Sequence, residues 1–269
     1  LAELIPIDDP EDPRVAVYRK VRERDLVGRQ GGFIAEGEVV LRVLATGGGP
    51  HRAASLLIDG KRLGKLAPLI ESLPDGTPVY VAGQAVLDAI AGFPIHRGIL
   101  AHGLRAPEQS GAALLRGLGE RALVLALHGV ANHDNMGGLF RNAAAFGVDA
   151  VLLDATSCDP LYRKSIRVSV GAALKVPFAR VATEEDMLSL LATAGFDVLA
   201  LSPAGAEPLA GLKRPPRAAL LLGAEGPGLP PQVLERTRTF RIPMAPGWDS
   251  LNVASAAAVA LDALFTCEH

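Results

Sequence analysis

Aromatic residues are scarce in this 269-residue chain, at 4% of positions, while 49% of positions are hydrophobic. A core built from Ala, Leu and Val is therefore expected. Cysteine is nearly absent. Cys158 and Cys267 alone suggest neither a disulfide framework nor a metal cluster, and a reducing cytoplasm fits best. No charge sign dominates. The formal net charge of −2 gives no global signal for nucleic-acid binding, although 27 Lys+Arg leave room for a local basic face. No apolar run reaches about 18 residues, so no membrane span is expected. The opening LAELIPIDDPEDPR is acidic, contains proline and lacks a signal-peptide pattern.

What is present is a repeated alternation of helical and strand patterns. The first hundred residues predict a charged helix over 15–27 and strands over 33–37, 55–59, 79–83 and 98–104, with a helix after each of the first three strands. We read residues 1–105 as one α/β domain, 106–121 as a linker broken by Pro, Gln, Ser and Gly, and 122–269 as a second domain. Strands are predicted there over 123–127, 150–153, 176–179, 198–201, 219–222 and 239–242. Helices are predicted near 136–146, 184–194, 231–235 and 252–265. These strands are apolar without alternation, the pattern of a parallel sheet covered on both faces.

Three segments could carry chemistry. In NMGGLFRNAAAFG (135–147), Asp134 or Asn135 can cap a helix and Gly147 can end it. Leu139, Ala143 and Phe146 form the buried stripe. Gly137 and Gly138 lie in the first turn, at a cost of about 1 kcal/mol each against alanine, so something must come close to the backbone there. Arg141 falls off the stripe. In LLGAEGPGL (221–229) a buried strand runs into a glycine loop with one charged side chain, Glu225, where ligands bind open α/β sheets. The loop is neither a GxGxxG fingerprint nor a Walker loop, so a phosphate cradle is disfavoured. In IPM…SLNVASAAA (242–258), Ser250 sits where an N-cap should be, with Asn252 just inside the first turn. The small residues that follow let another backbone approach closely.

Taken together, these segments resemble the three signature motifs of the SpoU (TrmH) family of RNA ribose methyltransferases, in order and approximate spacing. RKSIRVSVGAALKVPF (163–178) is similar to the stretch between the first two. The resemblance implies a parallel α/β sheet whose C-terminal chain threads a loop to form a trefoil knot. It also implies S-adenosylmethionine bound in the knot by Leu201, Ser202, Gly223, Ala224, Gly228, Ile242, Met244 and Leu251. Asn135, Arg141, Glu225, Ser250 and Asn252 are the implied catalytic set, converging on one pocket, with Glu225 holding Arg141 or a loop amide. Homodimers with the site near the interface are expected, and no metal.

The smaller N-terminal unit resembles an appended domain related to a ribosomal-protein RNA-binding fold, through VYRKVRERD (17–25), FIAEGEVVLRVL (33–44) and GFPIHRGILA (92–101). Arg19, Lys20, Arg22, Arg24, His96 and Arg97 are the candidate RNA contacts, although Glu23, Asp25, Glu36 and Glu38 weaken the electrostatic case. The activity implied is methylation of a ribose 2′-hydroxyl in structured rRNA or tRNA. The alternatives are a non-catalytic RNA-binding or assembly protein that keeps the fold, a small-molecule methyltransferase, and a resistance enzyme acting on ribosomal RNA.

Overall fold

The computed structural model describes residues 2–19, 31–46, 49–182, 186–248 and 250–265. The chain divides into two compact units, Leu1–Pro107 with Pro160–Lys175, and Glu108–Asp159 with Val176–His269.

The first unit holds five strands, β1 (Glu3–Ile7), β2 (Gly32–Glu36), β3 (Arg52–Asp59), β4 (Pro78–Ala82) and β5 (Ile99–Leu104), in the order β1-β4-β3-β5-β2. β4 pairs in parallel with β1 and β3, whereas β5 runs antiparallel to β3 and β2. Helices Glu38–Ala45, Leu63–Glu71 and Gln84–Ala91 follow β2, β3 and β4. One sheet face buries Ile7, Val15, Tyr18, Leu57, Leu87 and Ile90. The Tyr18 hydroxyl meets Ser55 Oγ at 2.7 Å and accepts the His102 N–H at 3.2 Å. Burial pushes this phenol well above its ordinary range.

Two expectations change here. β1 was not anticipated, because its sequence reads as an acidic opening; Pro6 is tolerated because β1 is an edge strand. The helix expected over 15–27 begins instead as a 3-10 helix, Pro13–Tyr18, capped by Asp12, and the backbone is extended at Arg19. Lys20, Arg22 and Arg24 lie outside the described residues.

Pro160–Lys175 also belongs to this unit, although its sequence sits among the motifs of the second domain. Its helix Arg163–Val168 packs along β2. The Arg163 guanidinium lies 4.5 Å over the Phe93 ring, and Gly171, at φ +84°, packs against Val40 and Val43.

The second unit is a seven-stranded, all-parallel sheet. Its strands are β6 (Ala122–Leu127), β7 (Ala150–Leu153), β8 (Phe178–Arg180), β9 (Asp197–Leu201), β10 (Glu207–Pro208), β11 (Arg217–Leu222) and β12 (Arg238–Arg241), in the order β10-β12-β9-β11-β6-β7-β8. Every residue of β6 and β7 is buried, as the lack of alternation predicts. Helices Gly111–Arg116, His133–Ala145, Met187–Thr193, Pro231–Leu234 and Val253–Leu264 cover it.

The stretch expected as a linker, 106–121, holds the first of these helices. Ser110 caps it by accepting the Ala113 N–H at 3.2 Å, and Leu114 and Leu115 enter the core. The Arg217 guanidinium closes its far end by donating to the carbonyls of Leu115, Leu118 and Gly119. The glycines that suggested a linker are the punctuation of a short helix.

Candidate active site

A parallel sheet brings all its strand C-termini to one edge. At the ends of β9, β11 and β12 that edge opens into a cavity of about 540 Å³. Leu201, Leu222, Leu229, Ile242 and Leu251 give apolar walls, and among the described residues Glu225 is the one charged lining residue.

The loop after β11 is shaped by its glycines. Ala224 and Gly228 form a bridge in which the Gly228 N–H donates to the Ala224 carbonyl at 3.0 Å. A Cβ on Gly223 would stand 2.4 Å from the Gly228 carbonyl carbon and from the Leu229 nitrogen. Both obstacles are backbone, so Gly223 admits no side chain. Among the described residues, the backbone N–H groups of Gly223, Glu225, Ile242, Met244 and Leu251 donate to no protein acceptor. A ligand in the cavity can bond to these amides in place of water.

Two helices fix the rim. The helix His133–Ala145 starts at Asn132, whose side chain accepts from the amides of Asp134 (2.8 Å) and Asn135 (3.3 Å). It ends at Gly147, φ +62°, where the Val148 N–H reaches back to Ala143 at 2.9 Å. The helix Val253–Leu264 starts at Asn252, which accepts from Ala254 (2.9 Å) and Ser255 (3.3 Å). Both caps correct the expectation: Asn132 replaces Asp134 or Asn135, and Asn252 replaces Ser250. Each true cap has Oδ1 two and three residues before the amides it serves.

The helices meet along Asn135, Gly138 and Asn142. A Cβ on Gly138 would lie 2.9 Å from Ala254 Cβ, and Asn142 Nδ2 donates to the Ala254 carbonyl at 2.6 Å. The close approach predicted at the glycines is thus made by the Ala-rich helix. Asn252 Nδ2 donates to Asn135 Oδ1 at 2.8 Å. This bond ties the first motif to the third at the cavity rim, with Asn135 buried.

The remaining part of the edge, after β6, β7 and β8, is tied together by hydrogen bonds to Asp154. Asp154 Oδ1 accepts from Gly129 N (3.0 Å), Ser157 N (2.9 Å) and Ser157 Oγ (2.6 Å), and its Oδ2 accepts from Thr156 Oγ1. Burial alone would raise this carboxyl, but the hydrogen bonds outweigh it and hold it below the usual carboxylate range. Arg180 donates to the carbonyls of Asp154 and Ser157. Nearby, burial first and then the Asp159 charge push the Cys158 thiol up to about 11, which makes it a weak nucleophile.

Leu201, Ser202, Gly223, Ala224, Gly228, Ile242, Met244 and Leu251 all line the cavity, as do Glu225, Ser250 and Asn252. Asn135 joins through Asn252. Arg141 is not among the lining residues, and it is exposed. Among the described residues neither Arg141 nor Glu225 has a hydrogen bond or ion pair, so the expected tie between them is absent. In the first unit, Arg19 is occupied by Glu11 (2.8 Å) and the Asp12 carbonyl (2.7 Å), while His96 and Arg97 are exposed and Arg97 covers Gly37. Sequence reasoning missed the Asp154 cage; D-x-T-S directly after a buried strand was its signal. Groups of three or more His, Cys, Asp or Glu able to hold a metal are absent among the described residues.

The profile of the SpoU rRNA methylase family matches residues 122–262. The chain is 41% identical over 265 residues to an uncharacterised tRNA/rRNA methyltransferase of Mycobacterium tuberculosis, covering 94% of this chain and 88% of that one. It is 30% identical over 210 residues to the Escherichia coli 23S rRNA (guanosine-2′-O-)-methyltransferase RlmB, covering 76% and 86%. In fold it is similar to an AdoMet-bound rRNA methyltransferase from Sinorhizobium meliloti, with a TM-score of 0.81, 23% identity and 97% coverage of both chains. Profile, relatives and fold agree, and the chain belongs to the SpoU rRNA methylase family.

Proposed function

We propose that this protein transfers a methyl group from S-adenosylmethionine to a ribose 2′-hydroxyl of a structured rRNA or tRNA. The observation that carries the reading is the Asn135–Asn252 bond, which joins the first and third motifs at the rim of a cavity built by the second and third. The cavity fits the cofactor. Its volume of about 540 Å³ lies in the range of small-molecule sites. Its free amides and apolar walls suit adenine, and Glu225 offers a carboxylate to a ligand carrying a sulfonium and an ammonium.

Bound there, S-adenosylmethionine supplies an electrophilic methyl group. The protein must present the 2′-oxygen in line with it and let one proton leave. Arg141 clamps the phosphate of the target nucleotide. A guanidinium, with a pKa above about 12, is a poor base, so the clamped phosphate oxygen assists departure of the 2′-hydroxyl proton. Asn135, Ser250 and Asn252 orient ribose and backbone. Arg141 is exposed and has no partner among the described residues, which leaves it available to RNA.

The trefoil knot belongs to the same proposal. In its favour, the Val253–Leu264 helix packs on both β11 and the His133–Ala145 helix, while Ile242, Met244, Ser250, Leu251 and Asn252 line the same cavity as the loop after β11. A homodimer is supported by Val259 and Phe265, which are exposed on and just after that helix. RNA binding by the first unit rests on His96 and Arg97, and a cytoplasmic location on the RNA substrate. No helix among the described residues is long and apolar enough to cross a membrane.

Calorimetry with S-adenosylmethionine tests the cofactor, and mapping 2′-O-methyl sites in total RNA with and without the gene tests the reaction. Binding together with loss of one methylated position is expected; no binding would favour the non-catalytic alternative. Arg141→Lys should keep cofactor affinity and lose methylation, and undiminished turnover would remove the guanidinium from the mechanism.

A further inference from the structure

Trp248 is the chain's only tryptophan, and at 76% exposure it is the most exposed large hydrophobic residue described. Tryptophan is highly buried on average, so an indole left in water calls for a partner. Among the described residues it has no ring contact and no cation over its face.

Its position is not that of a loose loop tip. The Trp248 N–H donates to the Ala245 carbonyl at 3.2 Å. Between them stand Pro246 and Gly247, the latter at φ +88°. Proline second and a left-handed glycine third make a type II turn. The turn fixes the backbone that carries the indole, so little order remains to be imposed when a ligand arrives. On one side Met244, and on the other Ser250, both line the cavity. Ser250 is two residues on, and two residues of chain span at most about 7 Å, so the turn that carries the indole is close to the cavity mouth.

A ribose can reach that mouth only if its nucleotide leaves the surrounding stack, which exposes the face of its base. Proteins compensate the lost stacking with aromatic side chains, at about 1–3 kcal/mol per base. We propose that Trp248 is a positioning residue that stacks on the unpaired base of the nucleotide whose ribose enters the cavity. The proposal rests on the RNA methyltransferase reading above. A base is favoured over a protein partner because Trp248 lies two residues from cavity-lining Ser250, whereas exposed Val259 and Phe265 lie farther along the chain.

The single tryptophan makes the test direct. The full chain is titrated with a twelve-nucleotide single-stranded adenine RNA and with an abasic ribose-phosphate strand of equal length, and Trp248 fluorescence is followed. Saturable quenching by the adenine strand, absent with the abasic one, is expected. By filter binding, Trp248→Ala should bind the adenine strand about tenfold more weakly, and Trp248→Phe should recover most of the loss. Both variants should keep wild-type affinity for S-adenosylmethionine. Equal quenching by both strands, or unchanged RNA affinity in Trp248→Ala, would overturn the stacking. So would fluorescence that shifts on dilution without RNA, which would mean a second copy covers the indole. These outcomes leave the methyltransferase reading standing; failure of the wild type to bind S-adenosylmethionine overturns that reading and the proposal with it.

Discussion

The edge of the seven-stranded sheet has two parts that solve opposite problems. After β9, β11 and β12 the chain leaves backbone amides without partners around an open cavity. After β6, β7 and β8 it wraps one carboxylate in four hydrogen bonds. They touch at Gly129, where an added Cβ would stand 3.0 Å from Ala224 Cβ. The contrast separates a ligand site from its buttress. Unsatisfied groups facing a cavity call for a ligand, whereas satisfied groups hold the neighbouring loop in place.

The sharpest way to break this contrast is Gly223→Ala. Its methyl group would collide with backbone on the other side of the loop, so S-adenosylmethionine affinity should fall at least about tenfold, with a stability loss of about 1–3 kcal/mol. Gly226→Ala is the control. Unlike Gly223 it has a positive φ of +83°, but an added Cβ meets nothing within 4 Å, and the change should cost only about 1 kcal/mol from backbone strain. Similar cofactor binding in the two variants would contradict the loop geometry.

Asp154→Asn should cost about 2–3 kcal/mol by urea unfolding, because the amide cannot accept all four bonds. The effect should depend on pH. The folded carboxyl titrates below its unfolded value, so its contribution is complete above about pH 4 and disappears as pH falls through the folded value. The stability difference between wild type and Asp154→Asn should therefore shrink on acidification. A difference constant down to the acid limit would refute the cage.

Asn252→Ala removes a helix cap and leaves Asn135 Oδ1 without its donor. A loss of about 1–2 kcal/mol is expected, with methylation reduced beyond what the fraction folded explains. Thr156→Ala removes one bond from the exposed side of the cage and should cost at most about 1 kcal/mol, leaving cofactor affinity unchanged. Calorimetry that shows weaker cofactor binding in Thr156→Ala would join the two parts of the edge into a single site.

Much of the second unit was legible in advance, because fully buried parallel strands print as unbroken apolar runs and glycine marks where backbones must pass closely. The cavity residues were named through motifs, and the glycine loop carried its own physical signal. Helix starts were misplaced by two or three residues. Asn, Asp and Ser can all cap, and the choice depends on which oxygen meets the free amides. Arg141 was expected at the pocket from the family resemblance, whereas its absence from the lining depends on how the elements pack, which no local pattern encodes.

Sequence by itself determined the parallel sheet, the strand-end loops and the residue types around the cavity, since period, glycine placement and apolar runs are local properties of a chain. Only the tertiary structure decided that Pro160–Lys175 packs with the first unit, that Asn135 bonds to Asn252 across 117 positions, and that Asp154 is caged while Arg141 and Glu225 stand free of each other. The reason is physical. Hydrogen bonds and close packing between distant segments depend on distances that folding creates, and no local pattern encodes them.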